Sequence, residues 1–207
     1  MSTLPPSKRG GAATRQKLLR AGLELFTTIG FRATTTPEIA ARAGVAEGTI
    51  YRHFSGKEDL LIAGYHEAQR WGVDLVRNQD TDNSLSPRER LLAVARRLVS
   101  AADTDPAMTR MLLRRRDQRY LDDGAREAAR AFRDALLQIV ASGKSDGRVR
   151  AGPADLWMSV WLALVAFTAE RVSGKEWQPD HPQVELTLEA AWDAIAAGKP
   201  GSEEAGK

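Results

Sequence analysis

The sequence contains no cysteine, which excludes disulfides, thiolate metal ligands and a cysteine nucleophile. Histidine occurs three times, as His53, His66 and His181. Positions so far apart would need distant carboxylates to complete a metal site, and no metal is expected. The longest apolar stretch, Leu156 to Ala169, is shorter than the roughly 20 residues of a bilayer-crossing helix and follows Gly152-Pro153 as a helix start would. It predicts a helix covered on more than one face, with no membrane partner. The N-terminus carries no apolar run behind its basic residues, unlike a secretory signal, and with the missing cysteine this predicts a cytoplasmic protein. No segment alternates with period two, so no strand is expected. Nucleophile-elbow, phosphate-loop and H-E-x-x-H motifs are lacking, as is a histidine and carboxylate pair at useful spacing. An enzyme is not expected, and no cofactor is implied.

What is present is an uneven distribution of charge along the chain. Residues 1–57 hold nine Lys and Arg against three acids, a net +6, while the other 150 residues hold 21 basic and 24 acidic side chains, a net −3. A basic first quarter on an acidic remainder suits a polyanion-binding end joined to a part that binds something else.

Proline, glycine and capping residues divide the 207 residues into about nine helices. Leu18, Leu19, Leu23 and Phe26 give an amphipathic helix from about Thr14 to Ile29, stopped by Gly30. Thr36, followed by Pro37, is expected to cap a second helix that Gly44 ends. A third is expected over about Ala46 to Phe54. Ser55 and Glu58 have capping-box spacing for a fourth, running to about Gln79. Ser86-Pro87-Arg88-Glu89 repeats that signature, and Asp105-Pro106, Asp123-Gly124, Gly152-Pro153 and Pro182 open the rest. The fold class is therefore all-α. Expected divisions are a flexible basic arm (1–13), a short helical domain (14–57), a longer helical domain (58–197) and a disordered tail (198–207).

A helix, a short turn at a glycine and a second helix is the form in which the second helix enters the DNA major groove. In "IAARAGVAEGTIYRHF", Ile50 and Phe54 share an inward face, which leaves Glu47, Gly48, Thr49, Tyr51 and Arg52 on or near the outer side. Hydroxyl and basic groups there suit phosphate oxygens, and Arg52 also has the reach for a guanine edge.

Over about Arg15 to Leu61 the chain resembles the TetR family of transcriptional regulators. The residues carrying the resemblance are Gly30-Phe31, Thr34 to Thr36, Ile39-Ala40, Ala43-Gly44-Val45, Gly48-Thr49-Ile50-Tyr51, His53-Phe54 and Lys57-Glu58-Asp59-Leu60. The resemblance implies phosphate contacts from Thr35 or Thr36, Tyr51, His53 and Lys57, and base contacts from Ala46, Glu47, Gly48, Thr49 and Arg52. It departs at Arg52, where another aromatic is common, and at Ala46, where a small hydroxyl residue is common. It also implies a homodimer on a palindromic operator of double-stranded DNA, most simply a repressor released by a small-molecule effector; an activator or a protein-interaction adaptor are the alternatives.

The remaining expectations concern the C-terminal part. Trp71, Met108, Met111, Leu112, Phe132, Trp157, Trp161 and Phe167 read as core, or, by the resemblance, as the lining of an effector cavity. The run Arg114 to Arg119 reads as a solvated helix face or, turned inward, as a partner for an anionic effector. Small residues Ser159, Ala163 and Ala166, with the stripe Val184, Leu188, Trp192 and Ile195, call for partner helices; the resemblance implies that these lie at a four-helix dimer interface, which makes 58–197 an effector-binding and dimerisation domain. Lys8, Arg9 and Arg15 read either as a solubilising tail or as an arm adding salt-sensitive affinity.

Overall fold

The computed structural model describes residues 8–77, 85–114 and 121–198. Helices α1 (Lys8–Thr28) and α2 (Thr36–Ala43), a 3-10 helix (Glu47–Arg52) and α3 (Lys57–Arg77) come first, then α4 (Pro87–Thr104), α5 (Pro106–Leu113), α6 (Asp123–Ser145), α7 (Ala154–Ser173) and α8 (Pro182–Asp193). Among the described residues there is no strand, only an isolated bridge between Val149 and Ala196 that ties the α6–α7 connection to the end of α8. The all-α expectation holds.

The N-terminal helices pack closely because small residues let them. A Cβ on Gly22 of α1 would collide with Leu60 of α3, so only glycine allows that approach. Leu18, Leu23, Phe26, Ile39, Ile50, Phe54 and Leu60, all under 4% exposed, form one core from α1, α2, the 3-10 helix and α3. Helix α3 continues out of this core and packs on α6 and α5, so the same rigid element belongs to both halves of the molecule. Helices α4, α7 and α8 close the second half, where Arg88 and Arg96 of α4 pair with Glu189 and Glu185 of α8.

Several boundaries differ from expectation. The first helix begins at Lys8, so much of the arm assigned to residues 1–13 is helical. The cap of α2 is Thr35, whose hydroxyl accepts the Glu38 N–H, because the box needs a glutamate three residues on and Thr36 lies one residue too near. The recognition segment is a six-residue 3-10 helix, with Thr49 N–H on Ala46 O and His53 N–H on Ile50 O, each at 2.9 Å. So short a helix, containing Gly48, gains little from α geometry. Ser55 does not box with Glu58; its N–H and hydroxyl reach the Asp59 carboxylate at 2.9 and 3.3 Å.

Helix α3 ends at Arg77, and Gln79 lies outside the described residues. Helix α5 stops at Leu113, with Arg114 extended and exposed; Arg115 to Arg119 lie outside the described residues, as does the tail beyond Gly198. At 20 residues α7 is long and apolar enough to cross a membrane, more than its fourteen-residue apolar run suggested; it packs instead on α4, α5, α6 and α8. Helix α8 opens at Pro182 as expected and ends at Asp193.

Candidate nucleic-acid interface

Gly44 sits at φ 69°, ψ 37°, the left-handed conformation that closes a helix at little cost only for glycine. The N–H groups of Gly44 and Val45 return to Ala41 O and Ala40 O at 3.1 and 3.0 Å, which turns the chain directly into the 3-10 helix. Ile50 and Phe54 anchor that helix in the core, at 0% and 3% exposure. Their burial forces the rest outward: Ala46, Glu47, Gly48, Tyr51 and Arg52 are exposed, and Thr49 and His53 half-buried.

Tyr51, 58% exposed, has its hydroxyl 3.4 Å from that of Thr36 at the first turn of α2. Two hydroxyls from the two helices of the motif thus meet on one surface. Thr35 is differently occupied, since its N–H and hydroxyl both donate to the Glu38 carboxylate, at 2.7 and 2.8 Å. These bonds, the side-chain one first, hold the Glu38 carboxyl below the usual carboxylate range.

Lys57 also has structural work. Its ammonium donates to the carbonyls of Thr34 at 2.9 Å and Phe31 at 3.1 Å, and lies 4.6 Å above the Phe31 ring. One of its three N–H donors is left for an outside acceptor. The expectation of a simple phosphate-reaching lysine is therefore incomplete: this side chain first fastens the α1–α2 loop to α3. His53 lies against the start of α1, where a Cβ on Gly11 would be 4.0 Å from its Cε1.

Two features were missed by sequence reading. Arg15, read as part of a solubilising tail or of a basic arm, stands on α1 with its guanidinium 4.9 Å over the Phe54 ring, beside the recognition segment. A charge chain runs from the motif inward: Arg42 of α2 pairs with Glu24 of α1 at 2.7 Å, Glu24 with Arg20 at 3.2 Å, and Arg20 with Asp105 at 2.5 Å. Burial works against the Arg20 charge, but hydrogen bonding and attraction from Asp105, then from Glu24, outweigh it and raise its pKa. The i,i+4 spacing of Arg20 and Glu24 was a readable signal; the link to Asp105 was not.

Seven of the eight expected effector-lining residues belong to one hydrophobic core or pack against it, and Phe167 is exposed. Met111, Leu112, Phe132 and Trp161 are buried, and the Trp161 Nε1 has no hydrogen-bond partner among the described residues. Trp71 and Met108 are half-buried. Trp157 donates to Ala151 O at 3.0 Å with Arg150 over its ring, while Phe167 is 44% exposed and packs edge-on to Trp177. Among the described residues, open space includes a cleft of about 450 Å³ between α1, α2 and α5, lined by Arg20, Glu24, Arg42 and Arg110, and two adjoining clefts along α5 and α7. Of the adjoining pair, one, of about 360 Å³, is lined by Arg110, Leu113, Arg114, Ala166, Ala169 and Glu170; the other, of about 350 Å³, by Leu113, Arg133, Ser159, Leu162, Ala163 and Ala166.

The expected dimer stripe on α8 is spent within the chain. Val184, Leu188, Trp192 and Ile195 are at most 7% exposed, because α7 and α4 already cover that face. Ser159 and Ala163 are exposed and Ala166 half-buried, and the large apolar residues left uncovered on α7 and α8 are Leu156, Phe167 and Leu186.

Residues 18–63, the span of this motif and its core, match the family model described as bacterial regulatory proteins, tetR family. The chain belongs to the TetR family of transcriptional regulators. It is 27% identical over 138 residues to the fatty acid metabolism regulator protein of Bacillus subtilis, covering 66% of this chain and 71% of that one. It is likewise 27% identical over 165 residues to the HTH-type transcriptional repressor KstR2 of Rhodococcus jostii, covering 72% and 74%. A similar fold is seen in the crystal structure of the regulator FadR from Bacillus subtilis in complex with stearoyl-CoA, at TM-score 0.69 and 22% identity over 87% of this chain and 98% of that one. As a TetR-family protein the chain is a DNA-binding transcriptional regulator, and its relatives are regulators rather than enzymes.

Proposed function

We propose that this TetR-family chain is a cytoplasmic homodimeric repressor that seats on a palindromic operator and is released by a small-molecule effector. The observation carrying the reading is the outward face of the 3-10 helix, where Tyr51 is 58% exposed beside Thr36. The +6 charge of the first 57 residues supports it, since neutralising phosphates supplies most of the affinity for DNA. In this reading Thr36, Tyr51, His53 and the spare donor of Lys57 hold phosphates, while Ala46, Glu47, Gly48, Thr49 and Arg52 face base edges. Thr35 takes part only where a phosphate displaces Glu38.

Two-fold DNA is read by a two-fold protein, and the uncovered Leu156, Phe167 and Leu186 offer an apolar surface for a second copy. Recognition helices in successive major grooves must stand about 34–36 Å apart. An effector that binds one arrangement of α3 and α5 better than the other shifts that separation by its differential affinity alone. The repressor named KstR2 supports repression, and the stearoyl-CoA complex of FadR supports an effector with an apolar body and an anionic head.

Selection of bound sequences from a random duplex pool tests this. Enrichment of a palindrome, bound two protomers per duplex and weakened steeply between 50 and 200 mM salt, is expected. Binding indifferent to sequence and salt would instead favour the adaptor reading.

A further inference from the structure

We propose that the groove between α5, α6 and α7 binds an amphipathic anion, its apolar chain along Leu113, Leu162 and Ala166 and its anionic head at Arg110, Arg114 and Arg133. This rests on the effector reading above and assigns that effector a place and a charge pattern. The two clefts share Leu113 and Ala166, so they form one continuous trough. Its wall on α7 is Ser159, Leu162, Ala163, Ala166 and Ala169, residues of small or aliphatic character that leave room for an unbranched chain.

Its polar lining is unbalanced. Among the described residues, three guanidinium groups border the trough against the single carboxylate of Glu170. Arg110 is 84% withdrawn from solvent and aligned by Glu170 at 3.4 Å, which orients a fork suited to a carboxylate or phosphate. Arg114 and Arg133 form no ion pair among the described residues. An uncharged apolar ligand would leave that excess positive charge unanswered, and a small hydrophilic anion would leave the apolar wall wet; a molecule with both parts satisfies the trough.

The anionic head has two chemical sources, the carboxylate of a free fatty acid and the phosphates of its coenzyme A thioester. Titration calorimetry on the full chain with laurate, lauroyl-coenzyme A and coenzyme A, each below micelle formation, separates them. One of the two acyl ligands is expected to bind, at least tenfold tighter than coenzyme A alone. Arg133→Glu, on an exposed position, should weaken that binding tenfold or more with melting temperature unchanged. Ala166→Phe should abolish it by filling the trough.

Binding of neither acyl ligand, coenzyme A binding as tightly as its thioester, or affinity unchanged in both variants would overturn the assignment. So would loss of the dimer in Arg133→Glu with ligand binding intact, because the trough would then be a protein interface. Operator selection is scored separately without ligand: a chain that selects no DNA yet binds lauroyl-coenzyme A through Arg133 loses the repressor reading and keeps the site.

Discussion

Asp105 uses its two carboxylate oxygens on two different parts of the molecule: Oδ2 accepts from Arg20 of α1 at 2.5 Å, and Oδ1 accepts the Met108 N–H at 3.0 Å, capping α5. One side chain therefore joins the DNA-binding end to the helix that borders the arginine-lined trough. Asp105→Ala should cost about 1–2 kcal/mol, mostly from the lost cap. Asp105→Asn keeps a capping oxygen and loses the charge, and should cost clearly less. Both Arg20 and Asp105 are about a third or more exposed, so solvent screens the pair; urea denaturation in a double-mutant cycle with Arg20→Met should give a coupling below about 1 kcal/mol. A larger coupling would mean the pair is better shielded than its exposure indicates.

How much of this could be read from sequence depended on range. Gly44, the Ser86 to Glu89 box and the Asp105-Pro106 start are local devices whose spacing alone identifies them, and Ile50 with Phe54 needed only helical periodicity. Among Thr34, Thr35 and Thr36, the cap is set by the distance to Glu38, a signal that was present and misjudged. The α8 stripe illustrates a deeper limit. An apolar stripe states that Val184, Leu188 and Trp192 must be covered, but says nothing about which chain covers them. Lys57 likewise finds its carbonyls 23 and 26 residues away, a pairing that only the folded loop creates.

The two roles of Lys57 can be separated. Lys57→Met keeps much of the stem but loses both hydrogen bonds and the position over Phe31. Stability without DNA should fall by about 1–2 kcal/mol in urea denaturation, in addition to weaker operator binding. An unchanged denaturation midpoint would reduce Lys57 to a phosphate contact alone.

Tyr51→Phe removes one exposed hydroxyl and no buried surface. Thermal stability should stay within about 0.5 kcal/mol of wild type, as for surface positions generally. Operator affinity, measured by anisotropy, should drop about tenfold or more, the value of one hydrogen bond to a charged phosphate. Equal affinity would remove Tyr51 from the interface.

Leu186 and Trp192 lie on the same helix and should respond oppositely. Leu186 is 67% exposed, so Leu186→Glu should leave the subunit folded while sedimentation shows monomers and operator affinity collapses. Trp192 is 7% exposed within its own chain, so Trp192→Ala should unfold the subunit by about 3–5 kcal/mol. A dimeric, operator-competent Leu186→Glu protein would place the two-fold elsewhere.

The capping carboxylate of α2 makes stability at the motif depend on acid. Because Thr35 lowers the Glu38 pKa on folding, the folded state holds its proton less tightly than the unfolded chain. The resulting stability is fully present above the unfolded carboxylate value, about 4.3, and is lost as pH falls through the depressed folded value. The box at Ser86 and Glu89 behaves in the same way, with Ser86 lowering the Glu89 pKa. Glu38→Gln should therefore melt below wild type at pH 7, and the gap should shrink as pH is taken below about 4, with Glu89→Gln showing the same trend independently. A gap that stays constant down to the acid transition would mean that the hydrogen bonds of the box, rather than the charge of Glu38, stabilise the start of α2.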